Sequence, residues 1–246
     1  MIAVRPVGGL PEIAPGAPLG GLLAKAALPQ DDEVLVVSQK VVSKAEGRLR
    51  RLTEVEPSER ARRLAEELGK DPRLVELILG ESRAVVRAQR GVLIVETKSG
   101  LICANAGIDS SNVPGEDAVA LLPADPDASA RRLRAEIAAA GGHRPAVVIA
   151  DSFGRPWRIG QTDVAIGCAG LTVLDDWRGR RDRDGRELAA TAIAVADEAA
   201  AAASLARDKA SGEPAAVVSG LGRFVVAEDG PGAAALQRPQ ANDLFR

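Results

Sequence analysis

Residues 146–167 read AVVIADSFGRPWRIGQTDVAIG. The first five are a continuous apolar run, which predicts a short buried strand. Such a strand would deliver Asp151 and Ser152 at its end, where the backbone stops pairing and side chains can face a ligand. From Asp151 to Gly167 the chain carries three glycines, two arginines, a tryptophan and a proline without a regular period. That mixture predicts a loop held in a set shape rather than an amphipathic element, with extended chain from Thr162 to Leu174. A carboxylate and a hydroxyl beside Arg155 and Arg158 suit a divalent cation and a phosphate. A structural loop with a surface ion pair is the competing reading.

Two other segments carry chemistry-bearing residues. Leu101–Asp117 (LICANAGIDSSNVPGED) starts strand-like and continues in turn residues. Its Asp109 and Asn112 either converge on a hard cation or serve a local Asx-turn. Val34–Val37 predicts a strand running into Ser38-Gln39-Lys40. Lys40 and Lys44, four residues apart, would share a helical face, which suits gripping an anion; a solvated basic face is the plainer reading.

The remaining elements read as scaffold. Residues 2–7 predict a strand, followed by the Leu10-Pro11-Glu12-Ile13 loop and a helix near 18–28. Residues 58–69 place Ala61, Leu64, Ala65 and Leu68 on one stripe. Asp71-Pro72 and Asp125-Pro126 each pair an N-cap with proline at the first helical position. The second of these helices closes at Gly141. Residues 83–88 and 91–96 predict a hairpin turning at Arg90-Gly91. Asp176–Glu187 is a charged, turn-rich run, read as a solvated loop or a basic rim for substrate. Leu188–Leu205 predicts an alanine-rich buried helix, in which Asp197 and Glu198 must each be paired, metal-bound or solvent-facing. Pro214–Val218 predicts another buried strand.

The totals narrow the class. The chain has 246 residues, 46% apolar and 27% charged, as in a folded soluble protein. A net charge of −2 and an aromatic content of 2%, with no tyrosine, exclude a nucleic-acid partner and give no electrostatic case for a membrane surface. No apolar run approaches 20 residues and no signal peptide is evident, so a cytoplasmic location is expected. Cys103 and Cys168 fit no zinc or redox spacing and read as small buried hydrophobes. The single histidine, His143, follows two glycines in a turn, which removes serine–histidine and cysteine–histidine chemistry. Carboxylates, arginines, lysines and metal are left to carry any reaction.

Four segments together form a family pattern: VVSQKVVSKAEGR (36–48), LICANAGIDSSNVPGED (101–117), DSFGRPWRIGQTDVAIG (151–167) and GRELAATAIAVADEAAAAASL (185–205). In this order they resemble the γ-glutamyl ligase of coenzyme F-420 biosynthesis, over essentially the whole chain. The resemblance implies a single ligase domain over residues 1–246, without the flavin-binding reductase-like domain fused to it in some actinobacterial relatives. It implies a GTP-dependent acid–amine ligase that adds L-glutamate to the lactyl-phosphate tail of a deazaflavin acceptor. The first linkage is through the α-amine, later ones are γ-linked, and an acyl phosphate is the intermediate. Two divalent ions, Mg²⁺ or Mn²⁺, would assist, with a monovalent cation such as K⁺, in a homodimer. The expected fold is α+β: a mixed, largely antiparallel sheet with flanking helices, in two interlocked subdomains.

Carried onto this chain, the family's GTP contacts fall on Leu10, Pro11, Glu12, Ile13, Gln39, Lys40, Lys44 and Asn112, and on Lys209, Ala210, Ser211 and Gly212. The first metal's ligands fall on Asp109 and Asp151, and Ser152 matches a ligand of the second. A further ligand of the second metal falls on Lys209, which cannot coordinate as an ammonium, so either Asp208 or Glu213 substitutes or the ion is held differently. Gln39 stands where a small hydroxyl residue is common. Arg155 and Arg158 are the expected catalytic residues, stabilising charge on the transferring phosphoryl group. The alternatives are another nucleotide-dependent acid–amine ligase and a non-catalytic deazaflavin- or nucleotide-binding protein.

Overall fold

A computed structural model describes residues 1–111, 115, 117–207 and 212–245. In chain order the elements are β1 (Ala3–Val7), α1 (Leu19–Ala27), β2 (Val34–Ser38), α2 (Gln39–Ala45), β3 (Leu49–Arg51), α3 (Glu59–Leu68) and α4 (Pro72–Gly80). There follow β4 (Ser82–Gln89), β5 (Val92–Thr97), β6 (Ile102–Ala104), β7 (Ala118–Ala120), α5 (Pro126–Gly141), β8 (Ala146–Arg155) and β9 (Arg158–Ala169). The last are β10 (Asp175–Asp176), β11 (Ala192–Ile193), α6 (Val195–Ala206) and β12 (Ala215–Ser219).

Five strands form the main sheet in the order β1-β12-β2-β8-β9. Only β2 and β8 run parallel, so the sheet is mixed and largely antiparallel, as expected for this α+β fold. The apolar runs explain its centre. Val34–Val37, Ala146–Ala150 and Ala215–Val218 are buried throughout, because helices cover both faces. On one face Leu23 of α1 and Leu133 and Ile137 of α5 pack with Leu35, Val37, Val147 and Ile149. On the other, Ala196, Ala199, Ala200 and Ala203 of α6 meet Val34, Val36, Val148 and Val218. Each large side chain buried in these layers contributes about 1.5–3 kcal/mol. The alanines let α6 lie close to the sheet.

A second, smaller body has its own core: Ala61, Ala65 and Leu68 of α3 and Val75 and Ile78 of α4 pack on Leu93 and Val95. Local signals made these helices legible. Ser58 accepts the Ala61 amide, Asp71 that of Arg73, and Asp125 that of Ala128. The β4–β5 hairpin turns at Arg90-Gly91 as expected, with both residues at positive φ.

Two expectations are corrected. Residues 151–167 are not a loop: β8 continues to Arg155 and β9 starts at Arg158, making one long antiparallel hairpin. Periodicity missed it because cross-strand pairing, not one buried face, holds its outer half. The second correction is the helix expected over 188–205, which begins only at Val195; Ala192–Ile193 pairs with Asp175–Asp176 instead. Of its two acids, Asp197 accepts the Ala165 amide at 2.9 Å and Glu198 faces solvent. That bond serves a register shift in β9, where Ile149 and Ala150 face Gly167 and Ala165.

Candidate active site

Topology brings the chemistry to one end of the central strands. β2 and β8 are parallel, with Ser38 beside Ala150, so Lys40 and Asp151 emerge at the same end. β1 ends there too, because Val7 faces Ala215, and the Ser38 amide donates to Pro214 at 2.7 Å. The Leu10–Ile13 loop and the segment before β12 therefore join the ends of β2 and β8. Between them opens a cleft of about 1860 Å³, lined by Leu10, Pro11, Glu12, Ile13, Lys40, Lys44, Asp109, Asp151, Ser152, Arg155, Gly212 and Glu213 among others.

Lys40 and Lys44 share a face of α2, as their spacing predicts, and each holds a carboxylate. Lys44 Nζ lies 2.6 Å from Glu12 Oε1, and Lys40 Nζ lies 3.0 Å from Asp109 Oδ2 and 2.6 Å from Ser111 Oγ. Asp109 Oδ1 also accepts the Ser111 amide at 2.7 Å, which forms the local Asx-turn, while Oδ2 takes the Lys40 ammonium. Burial pushes the Asp109 carboxyl up, but the Ser111 amide and the Lys40 ammonium outweigh it and hold the group below its ordinary range. The preceding turn is strained: Asn105 and Ala106 have φ of 53° and 54°. Gly107 follows at φ 69°, where a Cβ would meet Leu122 Cδ1 at 2.6 Å.

Asp151 and Ser152 are neighbours on a strand, so their side chains take opposite faces. Burial first, and then the charges of Asp109 and Asp163, push Asp151 up to about 7, against the Ser152 amide and Lys40. Ser152 turns instead to Asp163, its direct partner on β9, and donates to Asp163 Oδ1 at 2.6 Å. Arg207 Nη2 donates to Asp163 Oδ2, also at 2.6 Å. The serine proton is thereby committed to Asp163, which leaves the hydroxyl lone pairs for an electron-poor ligand.

The other expected site residues divide. Arg155 lines the cleft and donates to the Ile159 carbonyl at 2.9 Å, whereas Arg158 is exposed and outside the cleft lining. The Gln39 side chain is buried in the scaffold, its Oε1 accepting the Ser43 hydroxyl at 2.9 Å and its Nε2 unpartnered, and it does not line the cleft. Asn112, Asp208, Lys209, Ala210 and Ser211 lie outside the described residues. Asp163 and Arg207 are additions that sequence reading missed. Asp163 lay inside a quoted motif, but only the β8–β9 register shows that it faces Ser152.

The Asp109 and Asp151 carboxylates, and separately the Ser152 hydroxyl on the other face of β8, are oxygen donors of the kind magnesium prefers. Among the described residues no cluster of three or more His, Cys, Asp or Glu residues forms a self-contained metal cage. One or two carboxylates completed by substrate phosphates and water is the usual arrangement for magnesium, and these residues fit it.

An α+β fold with lysines and carboxylates gathered at the ends of its central strands defines a cleft protein equipped for anionic ligands. More particularly, the chain belongs to the F420-0:Gamma-glutamyl ligase family, whose profile matches residues 9–220. Three similar proteins, from Methanopyrus kandleri, Methanothermobacter thermautotrophicus and Haloarcula marismortui, are each named coenzyme F420:L-glutamate ligase. They are 44%, 46% and 49% identical over 100%, 88% and 86% of this chain, and 98%, 85% and 84% of their own lengths respectively.

Proposed function

We propose that this chain is a coenzyme F420:L-glutamate ligase that uses GTP to join glutamate to the carboxylate on the acceptor's tail. The observation that carries this reading is the convergence of four distant segments, bearing Glu12, Lys40 with Lys44, Asp109, and Asp151 with Ser152, on one cleft. In the proposed course an acceptor carboxylate oxygen attacks the γ-phosphorus of GTP and GDP leaves. The glutamate amine then attacks the acyl phosphate carbon, an amide forms, and inorganic phosphate departs with the electron pair of the broken C–O bond. The amine loses its proton in the same step.

Both reacting partners of the first step are anions, so positioning and charge neutralisation carry the catalysis. Lys40 and Lys44 supply ammonium groups that exchange their carboxylate partners for phosphate oxygens. Arg155, on the wall of the cleft, steadies charge on the transferring phosphoryl group; Arg158 would need to swing inward to share that role. Asp109 and Asp151 would hold one divalent ion, Mg²⁺ or Mn²⁺, and Ser152 a second, with Glu213 a further oxygen donor in the cleft. When bound, such ions offset phosphate charge and polarise the γ-phosphoryl group. An initial α-linkage followed by γ-linkages, a K⁺ ion and a cytoplasmic homodimer belong to the same reading and rest on the family resemblance.

The test is mass spectrometry of products made with GTP, Mg²⁺ or Mn²⁺, L-glutamate and the glutamate-free coenzyme. Mass added in glutamyl steps with equal GDP supports the reading. Acceptor binding without product under either metal refutes it and favours a binding protein.

A further inference from the structure

The chain has only five aromatic side chains, two Trp and three Phe. Two of them meet at the mouth of the cleft. Trp157 at the tip of the β8–β9 hairpin and Phe245 near the C-terminus have ring centroids 4.9 Å apart, tilted by 51°. Neither is buried by the contact, since Trp157 stays 79% and Phe245 69% exposed. Trp157 is also held at φ 59°, a left-handed conformation unfavourable for a bulky residue. Both rings line the same cleft as the carboxylates, together with Val92, Ile94 and Ile102 from β5 and β6. The cleft thus has an apolar, aromatic part as well as its charged part. At about 1860 Å³ it also exceeds the roughly 300–1,000 Å³ usual for one small ligand, leaving room for two substrates.

We infer that Trp157 and Phe245 form the ring subsite of this cleft, stacking on the planar tricyclic deazaflavin of the acceptor. The inference rests on the ligase reading for the identity of that ring. The hairpin sets the spacing: at about 3.3 Å per residue, the chain from Asp151 to the tip spans roughly 13–20 Å. A ring stacked at the tip leaves the phosphate-bearing tail to run down the same cleft toward Asp151 and Ser152. Two tilted rings present an edge and a face, the geometry in which a third aromatic system packs well. Ile102 and Val92, partly exposed on the cleft wall, would be covered by the same ring.

Tryptophan fluorescence tests the subsite without turnover. Trp177 donates its ring N–H to Asp175 outside the cleft lining, so Trp177→Phe leaves Trp157 as the sole reporter. In that background the tail-less deazaflavin chromophore and the glutamate-free coenzyme should both quench the emission saturably. In the otherwise unmodified chain, Trp157→Ala should raise the acceptor KM about tenfold or more, with the GTP KM within twofold. Phe245→Ala should raise the acceptor KM in the same direction. Quenching absent in the Trp177→Phe protein, or an unchanged acceptor KM in Trp157→Ala while the wild type turns over, overturns the subsite and leaves the ligase reading intact. Conversion of a dimer to a monomer by Trp157→Ala overturns it in favour of a subunit contact. Saturable quenching by the chromophore with no wild-type glutamate addition would instead overturn the ligase reading and keep a deazaflavin subsite.

Discussion

Asp151→Asn separates what this carboxylate does for the reaction from what it costs the fold. The group is half-buried in the cleft beside Asp109 and Asp163, and its pKa is raised from the ordinary 3.8 to about 7. A raised folded-state value means the protonated form is favoured in the native protein. Its contribution to stability is therefore fully present below pH 4 and is lost as pH rises through about 7. At about 1.36 kcal/mol per tenfold, the gap has an upper bound of about 4 kcal/mol. Water in the open cleft screens the charge, so about 1–3 kcal/mol is expected. Asparagine has the same shape and no charge to lose. In EDTA the variant should match the wild type near pH 4 and unfold roughly 2–10 °C higher near pH 8.5. Thermal unfolding followed by circular dichroism at the two pH values measures this directly. Adding Mg²⁺ at high pH should narrow the gap by stabilising the wild type, while glutamate addition is lost in the variant. An equal melting difference at both pH values, or a variant less stable at high pH, would refute the reasoning.

Three further outcomes follow from other parts of the molecule. The Asp163→Asn/Arg207→Gln double variant removes both members of a close pair and so leaves no buried unpaired charge. It should weaken Mn²⁺ binding about 10–100-fold, read by titration calorimetry with nucleotide present, because the Ser152 hydroxyl exchanges a carboxylate acceptor for a weaker amide oxygen. Gly167→Ala would place a Cβ 2.2 Å from the Pro126 carbonyl oxygen, and should lower stability by about 2 kcal/mol or more in urea unfolding. Cys103 and Cys168 have thiols raised to about 12, chiefly by burial, so alkylation near pH 8 should be negligible in the native protein and complete in urea.

Sequence reading reached the scaffold wherever a local signal decides the structure. Ser58, Asp71 and Asp125 cap helices in place, and the runs at Val34 and Ala146 form central strands because continuous apolar side chains need cover on both faces. It failed at the outer half of the β8–β9 hairpin, where glycines, arginines and Trp157 carry no period. Strand geometry there comes from a partner strand rather than from the segment's own pattern. The alanine-rich stretch failed in the opposite sense: high helix propensity from Leu188 to Ala194 lost to pairing and turns, and the helix starts at Val195.

The candidate site shows the same division. Residue types and motif order alone pointed to carboxylates, lysines and arginines rather than histidine or cysteine for the proposed chemistry, and the Lys40, Lys44, Asp109, Asp151 and Ser152 they singled out all line one cleft. Tertiary structure alone decided that Lys40 faces Asp109, that Ser152 faces Asp163, that Arg207 closes that pair, and that Gln39 stays out of the cleft. Helix spacing can put two lysines on one face because that rule acts within four residues of chain. Which carboxylate each side chain meets depends on strand order and register, and these are set by long-range packing of the whole sheet.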